Sequence, residues 1–428
     1  MPKLKSIFFV GFYSGFGVAA SFARGVILAR VLGADQFGLA VILISILAAL
    51  DMFADAGIDR FVVSNRFGYR ADVMRTSHAY RVFGSALVGI AIMLIAYPLA
   101  LLFNSPAIWP TIAAMGGVII LRGFVNLEYK VEQRSDRFTA ETRIDVTRFT
   151  VELLVLAGIA FATRSYWAVV AGAYANVLIQ LLISHSGKTM RYSFLPRRRV
   201  IKLVARFSTP IYINATLLLA AVQGDRLVIA ASFTSRELAF YAVACALGQG
   251  GVSVLSKVIM NLFLPSFSPA AGTRDILARR VNRIGWLVIA LAVLFVAVLT
   301  LAGPRLVTFI YGPEYTGLRA LIFASAIVQM IQIEQSWLTT LLMAQGLTRD
   351  FPRITVMRAA AFPVAILFAH LHLDILAIPF AFAIGAALSL AQSYLCAAPL
   401  KLVDRRLAVA SFIRIACSLA IIAALIIY

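Results

Sequence analysis

The sequence predicts an all-α polytopic membrane protein built as two six-helix lobes in a parallel repeat around a central cavity, with one extra helix at the C-terminus. Three observations carry that prediction: long apolar spans, a one-sided distribution of basic residues, and a correspondence between the two halves of the chain. Hydrophobic residues make up 61% of the 428 and charged residues 14%, which is more apolar surface than a water-facing fold of this size could bury. An α-helix needs about 20 apolar residues to cross the hydrocarbon layer. On that rule the chain holds about 13 spans, near 7–31, 37–58, 81–103, 107–127, 147–163, 166–185, 207–231, 237–262, 284–303, 318–344, 354–370, 374–396 and 410–427.

The joints between spans alternate in charge. Lys3 and Lys5 precede the first span, and every second joint after it is basic, from Arg60, Arg66, Arg70, Arg75 and Arg81 to Lys401, Arg405, Arg406 and Arg414. The intervening joints carry isolated arginines such as Arg30, Arg164 and Arg305 beside Asp35, Glu237, Glu314 and Asp374. Because basic residues are retained on the cytoplasmic side, the N-terminus is expected inside and the C-terminus outside. The net charge of +20 is then a topology signal and a surface for anionic headgroups, so no nucleic-acid partner is expected. A signal peptide is disfavoured for the first span, which continues through Gly25-Val26-Ile27-Leu28-Ala29 beyond any cut near Ala23. Cys245, Cys396 and Cys417 fall inside apolar spans without ligand spacing and read as small core residues.

The halves correspond. Arg24-Gly25-Val26-Ile27-Leu28-Ala29 resembles Arg226-Leu227-Val228-Ile229-Ala230-Ala231, and the same offset pairs Asp35 with Glu237 and Asp55 with Lys257. An arginine opens the fifth helix of each half, Arg148 and Arg358. Equal sidedness makes this a parallel repeat, whose lobes enclose a cavity near the membrane midplane that opens to either side. The expected division is 1–187 for the N-terminal lobe, 188–206 for a basic cytoplasmic linker, 207–396 for the C-terminal lobe and 397–428 for the additional helix. Transport is the leading class of function.

Charges inside spans are costly and normally face a cavity or a partner, so they are the candidate site residues. Arg24 and Arg226 occupy matching places and could grip a phosphate or carboxylate; alternatively each snorkels outward or pairs with Asp35 or Asp225. Asp51, Asp55 and Asp59 form one acidic stripe at helical spacing. Lys257 is the attractive partner for Asp55, as a gate, with Arg60 and Arg66 as ordinary interfacial partners. Gln329 and Gln332 lie on adjoining faces of the tenth span and suit sugar hydroxyls or a neighbouring helix, Gln335 joining them less directly. Glu334, with Asp225, is a candidate coupling residue for a proton or another cation. No metal or catalytic site is expected: His78, His185, His370 and His372 stand near no Cys, Ser and acid set at suitable spacing, and no phosphate-cradling Gly-rich loop precedes a helix. The chain therefore reads as a transporter, not an enzyme, with no cofactor beyond a coupling cation whose identity is left open.

Several runs are similar to one family. Ala29-Arg30-Val31-Leu32-Gly33-Ala34-Asp35-Gln36-Phe37-Gly38-Leu39 and Ala54-Asp55-Ala56-Gly57-Ile58 resemble the first-helix joint and second-helix end of polysaccharide exporters, the O-antigen flippases. Asp225-Arg226-Leu227-Val228-Ile229, Glu237-Leu238-Ala239-Phe240-Tyr241, Ile310-Tyr311-Gly312-Pro313-Glu314-Tyr315 and Ala344-Gln345-Gly346 resemble the later landmarks of the same family. It belongs to the multidrug/oligosaccharidyl-lipid/polysaccharide exporter superfamily. The resemblance implies a V-shaped flippase of the bacterial inner membrane that moves an undecaprenyl-pyrophosphate-linked oligosaccharide from the cytoplasmic to the outer leaflet. A basic cavity would receive the pyrophosphate and sugars; glycan polymerase and assembly proteins are candidate partners. Likeness to lipid II flippases is confined to Phe22-Ala23-Arg24 and Ala29-Arg30, so lipid II is the lesser reading. A multidrug exporter of the same fold would want an acidic, aromatic-lined cavity, and a glycan polymerase or ligase a large outer loop.

Overall fold

The computed structural model describes residues 4–55, 57–64, 70–135, 139–186, 197–268 and 273–427, and among them helix is the dominant element and no strand occurs. In chain order the α-helices are α1 Leu4–Asp55, α2 Ile58–Ser64, α3 Ala71–Leu102, α4 Trp109–Gly123, α5 Glu128–Val131, α6 Thr139–Thr163, α7 Trp167–His185 and α8 Arg198–Ser232. They continue as α9 Ser235–Phe263, α10 Arg274–Tyr311, α11 Arg319–Ala344, α12 Phe351–Ala359, α13 Ala361–His370, α14 Ala377–Ala397 and α15 Arg405–Ile427. Short 3-10 turns join several of them.

Twelve helical segments among the described residues are long and apolar enough to cross a membrane. The first, Gly15–Ser64, runs 50 residues, or about 75 Å at 1.5 Å per residue, more than twice the hydrocarbon thickness. Gly33 resolves that excess. Its φ of 74° and ψ of 169° break the helical path, as only glycine does cheaply, and divide the segment into the two arms expected near 7–31 and 37–58. At the other end of the chain, α12 and α13 meet at Ala360 within one span, Thr348–His370. Pro363 lacks the N–H that would bond to the carbonyl four residues back, which explains a break at this point.

The chain divides into two compact units, Met1–Thr216 and Leu217–Tyr428, with the boundary inside α8. In unit 1, α3 packs on α4, and α6 packs on both α7 and α1. Gly89 and Gly116 let α3 and α4 touch backbone to backbone, since a Cβ on either would collide with the carbonyl oxygen of the other. Small residues at such crossings replace the hydrophobic driving force that lipid removes. A core cluster of unit 1 gathers Ile58, Phe61, Val62, Val73, Met74, Leu127 and Val204, with Phe207 against Phe61 at a ring separation of 5.4 Å. The beginning of α8, from Val200 to Tyr212, is thereby packed into unit 1.

In unit 2, α11 is the enclosed helix, contacted by α9, α10, α14 and α15. A capping box starts α9: the Thr234 hydroxyl accepts from the Glu237 N–H, and the Glu237 carboxylate accepts from the Thr234 N–H at 2.8 Å. The run Ile310 to Tyr315 forms a tight corner, in which Gly312 takes φ 110° and buried Tyr315 stacks edge-on against Tyr311 and Phe240. Gln345 donates to the Phe267 carbonyl at 2.7 Å, and Gly346 at φ 75° turns the chain out of α11. These landmark residues are structural in this chain.

Candidate functional site

Unit 2 contains a cavity of about 160 Å³ between α8, α9, α11 and the α12 and α14 helices. The polar run Gln223-Gly224-Asp225-Arg226 interrupts apolar α8 and supplies three lining residues, Gln223, Asp225 and Arg226. The Arg226 guanidinium donates through Nη1 to the Gln223 Oε1 at 2.9 Å, which lays it along its own helix, while its Nε is buried without a hydrogen-bond partner. Asp225 accepts from the Arg226 N–H at 2.8 Å and from the Tyr241 hydroxyl at 2.7 Å. Across the cavity, Ser325, Gln329 and Gln332 recur at intervals of four and three residues and so share one face of α11. Gln329 donates to the Cys245 carbonyl at 3.0 Å and leaves its Oε1 unpaired. Gly248 makes that rotamer available, because a Cβ there would overlap the Gln329 carboxamide.

Arg358, on α12, completes the lining and lies within electrostatic reach of Asp225. Two guanidinium groups and one carboxylate, its oxygens already engaged, thus line the same cavity. The cavity carries a net positive charge with carboxamides around it, a combination suited to an anion bearing hydroxyl groups.

Unit 1 gathers the matching arginines differently. Arg24 Nη1 pairs with the Glu152 Oε1 of α6 at 2.7 Å, the side chains being 22% and 10% exposed. Asn176 of α7 donates to the other Glu152 oxygen at 2.5 Å, and Arg148 Nη1 donates to the Asn176 Oδ1 at 3.4 Å. Arg148 in turn pairs with Asp145 at 2.8 Å and lies over the Phe149 ring. The four charges in this chain of contacts cancel. Within unit 1, Arg24 therefore pairs not with Asp35 but with Glu152, a lone carboxylate inside the fifth apolar span.

A family profile described as polysaccharide biosynthesis protein matches residues 27–319. The chain belongs to that family. No curated protein matches it in sequence. Among solved structures, the lipid II flippase MurJ in an inward closed conformation is similar over 98% of this chain and 92% of its own, with a TM-score of 0.71 at 13% identity. An inward-facing multidrug resistance MATE family transporter of the MOP superfamily gives 0.63 at 13% identity over 90% and 94%. The Vibrio cholerae MATE transporter VcmN in its bent form gives 0.52 at 14% over 92% and 96%. At these identities the likeness establishes the fold, and it is the all-α, membrane-spanning fold expected from the sequence.

Of the residues expected to matter in this family member, Arg226, Asp225, Gln329 and Gln332 share the unit 2 cavity, and Arg24 lies in unit 1. Glu334 is fully buried on another face of α11, ion-paired with Arg414 and accepting from the Tyr394 hydroxyl at 3.4 Å. Gln335 binds Ser389 and Ser393 of α14 at 2.6 and 3.3 Å, holding helix to helix. In the acidic stripe, Asp51 pairs with Arg122, and Asp59 with Arg81 at 3.0 Å and Lys130 at 3.6 Å; Arg66 lies outside the described residues. The side chain of Asp55 lies outside the described residues; Lys257 is exposed on α9.

Two expectations differ from the structure, those for Arg414 and Cys417. The neighbours Arg405 and Arg406 place Arg414 in a basic joint by sequence, yet it sits inside α15 facing a buried carboxylate. Arg358, expected to open the fifth helix of the second half, stands in the last turn of α12 and lines the cavity. Cys417 is exposed on the outside of α15, whereas Cys245 is buried, so only part of the cysteine set is core. Glu152, Gln223 and Tyr241 were not singled out by the sequence. An isolated carboxylate in an apolar span is the signal that could have found Glu152.

Proposed function

We propose that this chain is a flippase for a lipid-linked oligosaccharide, an undecaprenyl-pyrophosphate-linked O-antigen or exopolysaccharide unit, moved from the cytoplasmic to the outer leaflet by alternating access. Membership of the polysaccharide biosynthesis family supports the class. The observation that carries the reading is the unit 2 cavity, where Arg226 and Arg358 meet Gln329 and Gln332. Guanidinium groups grip phosphate or carboxylate oxygens bidentately, and carboxamides donate to and accept from sugar hydroxyls. In this reading Arg24 takes the anionic part of the cargo in unit 1, while Asp55, Lys257, Glu334 and Asp225 act as gate or coupling residues. The protein resides in the bacterial inner membrane with its N-terminus cytoplasmic, and its cargo is shared with a glycan polymerase and assembly proteins.

The test is transport in vesicles containing the purified protein. A short polyprenyl-diphospho-oligosaccharide should cross leaflets in protein-containing vesicles, and Arg24→Ala or the double variant R226Q/R358Q should abolish that movement while the protein still inserts. Lipid II and a cationic drug supplied to the same vesicles report the competing cargoes. Wild-type movement by both variants would reject the assignment of the arginines, and selective movement of the cationic drug would reject the anionic cargo.

A further inference from the structure

Arg24 is the residue the preceding reading gives to the anionic cargo, and in this structure its Nη1 is already paired with a carboxylate. Glu152 holds it at 2.7 Å, and Glu152 is itself anchored by Asn176 at 2.5 Å. The recess beside the pair, lined by Ala20, Ser21, Phe149 and Leu153, has about 10 Å³ of free space. That is room for about one water. A phosphate group that engages Arg24 on this side must therefore push the Glu152 carboxylate away.

We infer that Glu152 is the resident counter-ion of Arg24 and sets the charge a lipid headgroup must carry to displace it. The exchange is a competition between anions for one guanidinium. A phospholipid with one phosphate offers a single negative charge, replaces one carboxylate by one phosphate, and leaves Glu152 with Asn176 as its remaining anchor. An uncompensated carboxylate in a low-dielectric interior is costly, so this exchange runs uphill. A diphosphate esterified at both ends keeps two negative charges near neutral pH, roughly doubling the Coulomb attraction to the same guanidinium. The second charge tips the exchange. Discrimination of this kind needs an element that works against the wrong ligand, because anionic phospholipid vastly outnumbers any lipid-linked glycan in a membrane. Glu152 supplies that element as a specificity-determining residue, and Asn176 positions it.

The inference rests on the reading that Arg24 contacts the cargo, and the experiment separates the two. Binding of farnesyl-diphospho-N-acetylglucosamine and of phosphatidylglycerol to the purified full-length protein in nanodiscs of neutral lipid is measured for wild type, E152Q, N176A and R24A. Wild type should prefer the diphosphate by at least about tenfold, the equivalent of 1.4 kcal/mol. E152Q keeps the shape of the side chain and removes its charge, so phosphatidylglycerol affinity should rise about tenfold and the preference should collapse. N176A, which frees one carboxylate oxygen from its anchor, should lower the preference in the same direction by less. Unchanged preference in both E152Q and N176A, with R24A losing the diphosphate, would overturn the role of Glu152 alone. Undiminished diphosphate binding by R24A would instead remove the reading on which the inference stands.

Discussion

Replacing Arg414 by Met should destabilise unit 2 substantially, and the reason is Glu334. That carboxylate has no exposed surface, and its contacts are the Arg414 ion pair and a long hydrogen bond of 3.4 Å from Tyr394. Removing one member of a buried pair leaves a desolvated charge and costs about 3–5 kcal/mol. Arg414 is 18% exposed, so the lower part of that range applies, about 3 kcal/mol. For a unit of this size 1 kcal/mol corresponds to about 2–4 °C in melting temperature, giving a drop of about 6–12 °C. Thermal unfolding in detergent micelles, followed by intrinsic tryptophan fluorescence, is a suitable readout because buried Trp337 packs on Tyr394 at 6.3 Å. The control is the charge-free pair E334Q/R414M. It should recover most of the loss, because a neutral buried carboxamide does not need the guanidinium. A melting temperature for R414M within 2 °C of wild type, or a double variant no better than R414M, would refute the argument that α15 is held by charge compensation.

Three further outcomes follow from particular contacts. Gly248→Ala should cost about 1–3 kcal/mol and disturb the cavity, because the new methyl occupies the Gln329 carboxamide position; the same melt, alongside transport, measures it. Lys130 is buried, and although burial lowers its pKa, the combined pull of Tyr129, Asp59 and Glu141 holds it above the usual lysine range. A raised folded value means the stabilisation is fully present below the unfolded pKa and is lost only as pH rises through the folded one, so K130M should be less stable than wild type by a constant margin from about pH 6 to 9. A margin that vanishes within that window would contradict the contact geometry. For topology, a reporter active only in the cytoplasm should be silent after Tyr428 and active in the joint near Arg405; activity at both would mean that α15 does not cross.

The sequence by itself determined what the bilayer demands of any chain. Span lengths, the basic joints and the class of fold follow from hydrocarbon thickness and from the retention of cations on one side, which act on each segment separately. Even the break at Gly33 could be read as a joint, because a residue near it must turn the chain between two apolar runs. The family was legible in the same way, from short runs such as Asp225-Arg226 and the Tyr311 to Tyr315 corner.

Only the tertiary structure decided the partners. Arg24, Arg358 and Arg414 are equally basic in the sequence, and nothing local separates a guanidinium that snorkels to an interface from one that meets a carboxylate on a distant helix. Helix packing brings Glu152 to Arg24, Glu334 to Arg414, and Arg358 into the cavity of Arg226, each across a large separation in the chain. Around α11 the outcome depends on rotation about one axis: Gln329 and Gln332 face the cavity, Gln335 faces α14, and Glu334 faces α15. Spacing places those four side chains around the helix, but which neighbour each direction finds is fixed by how α9, α14 and α15 pack against it, a property that no single span encodes.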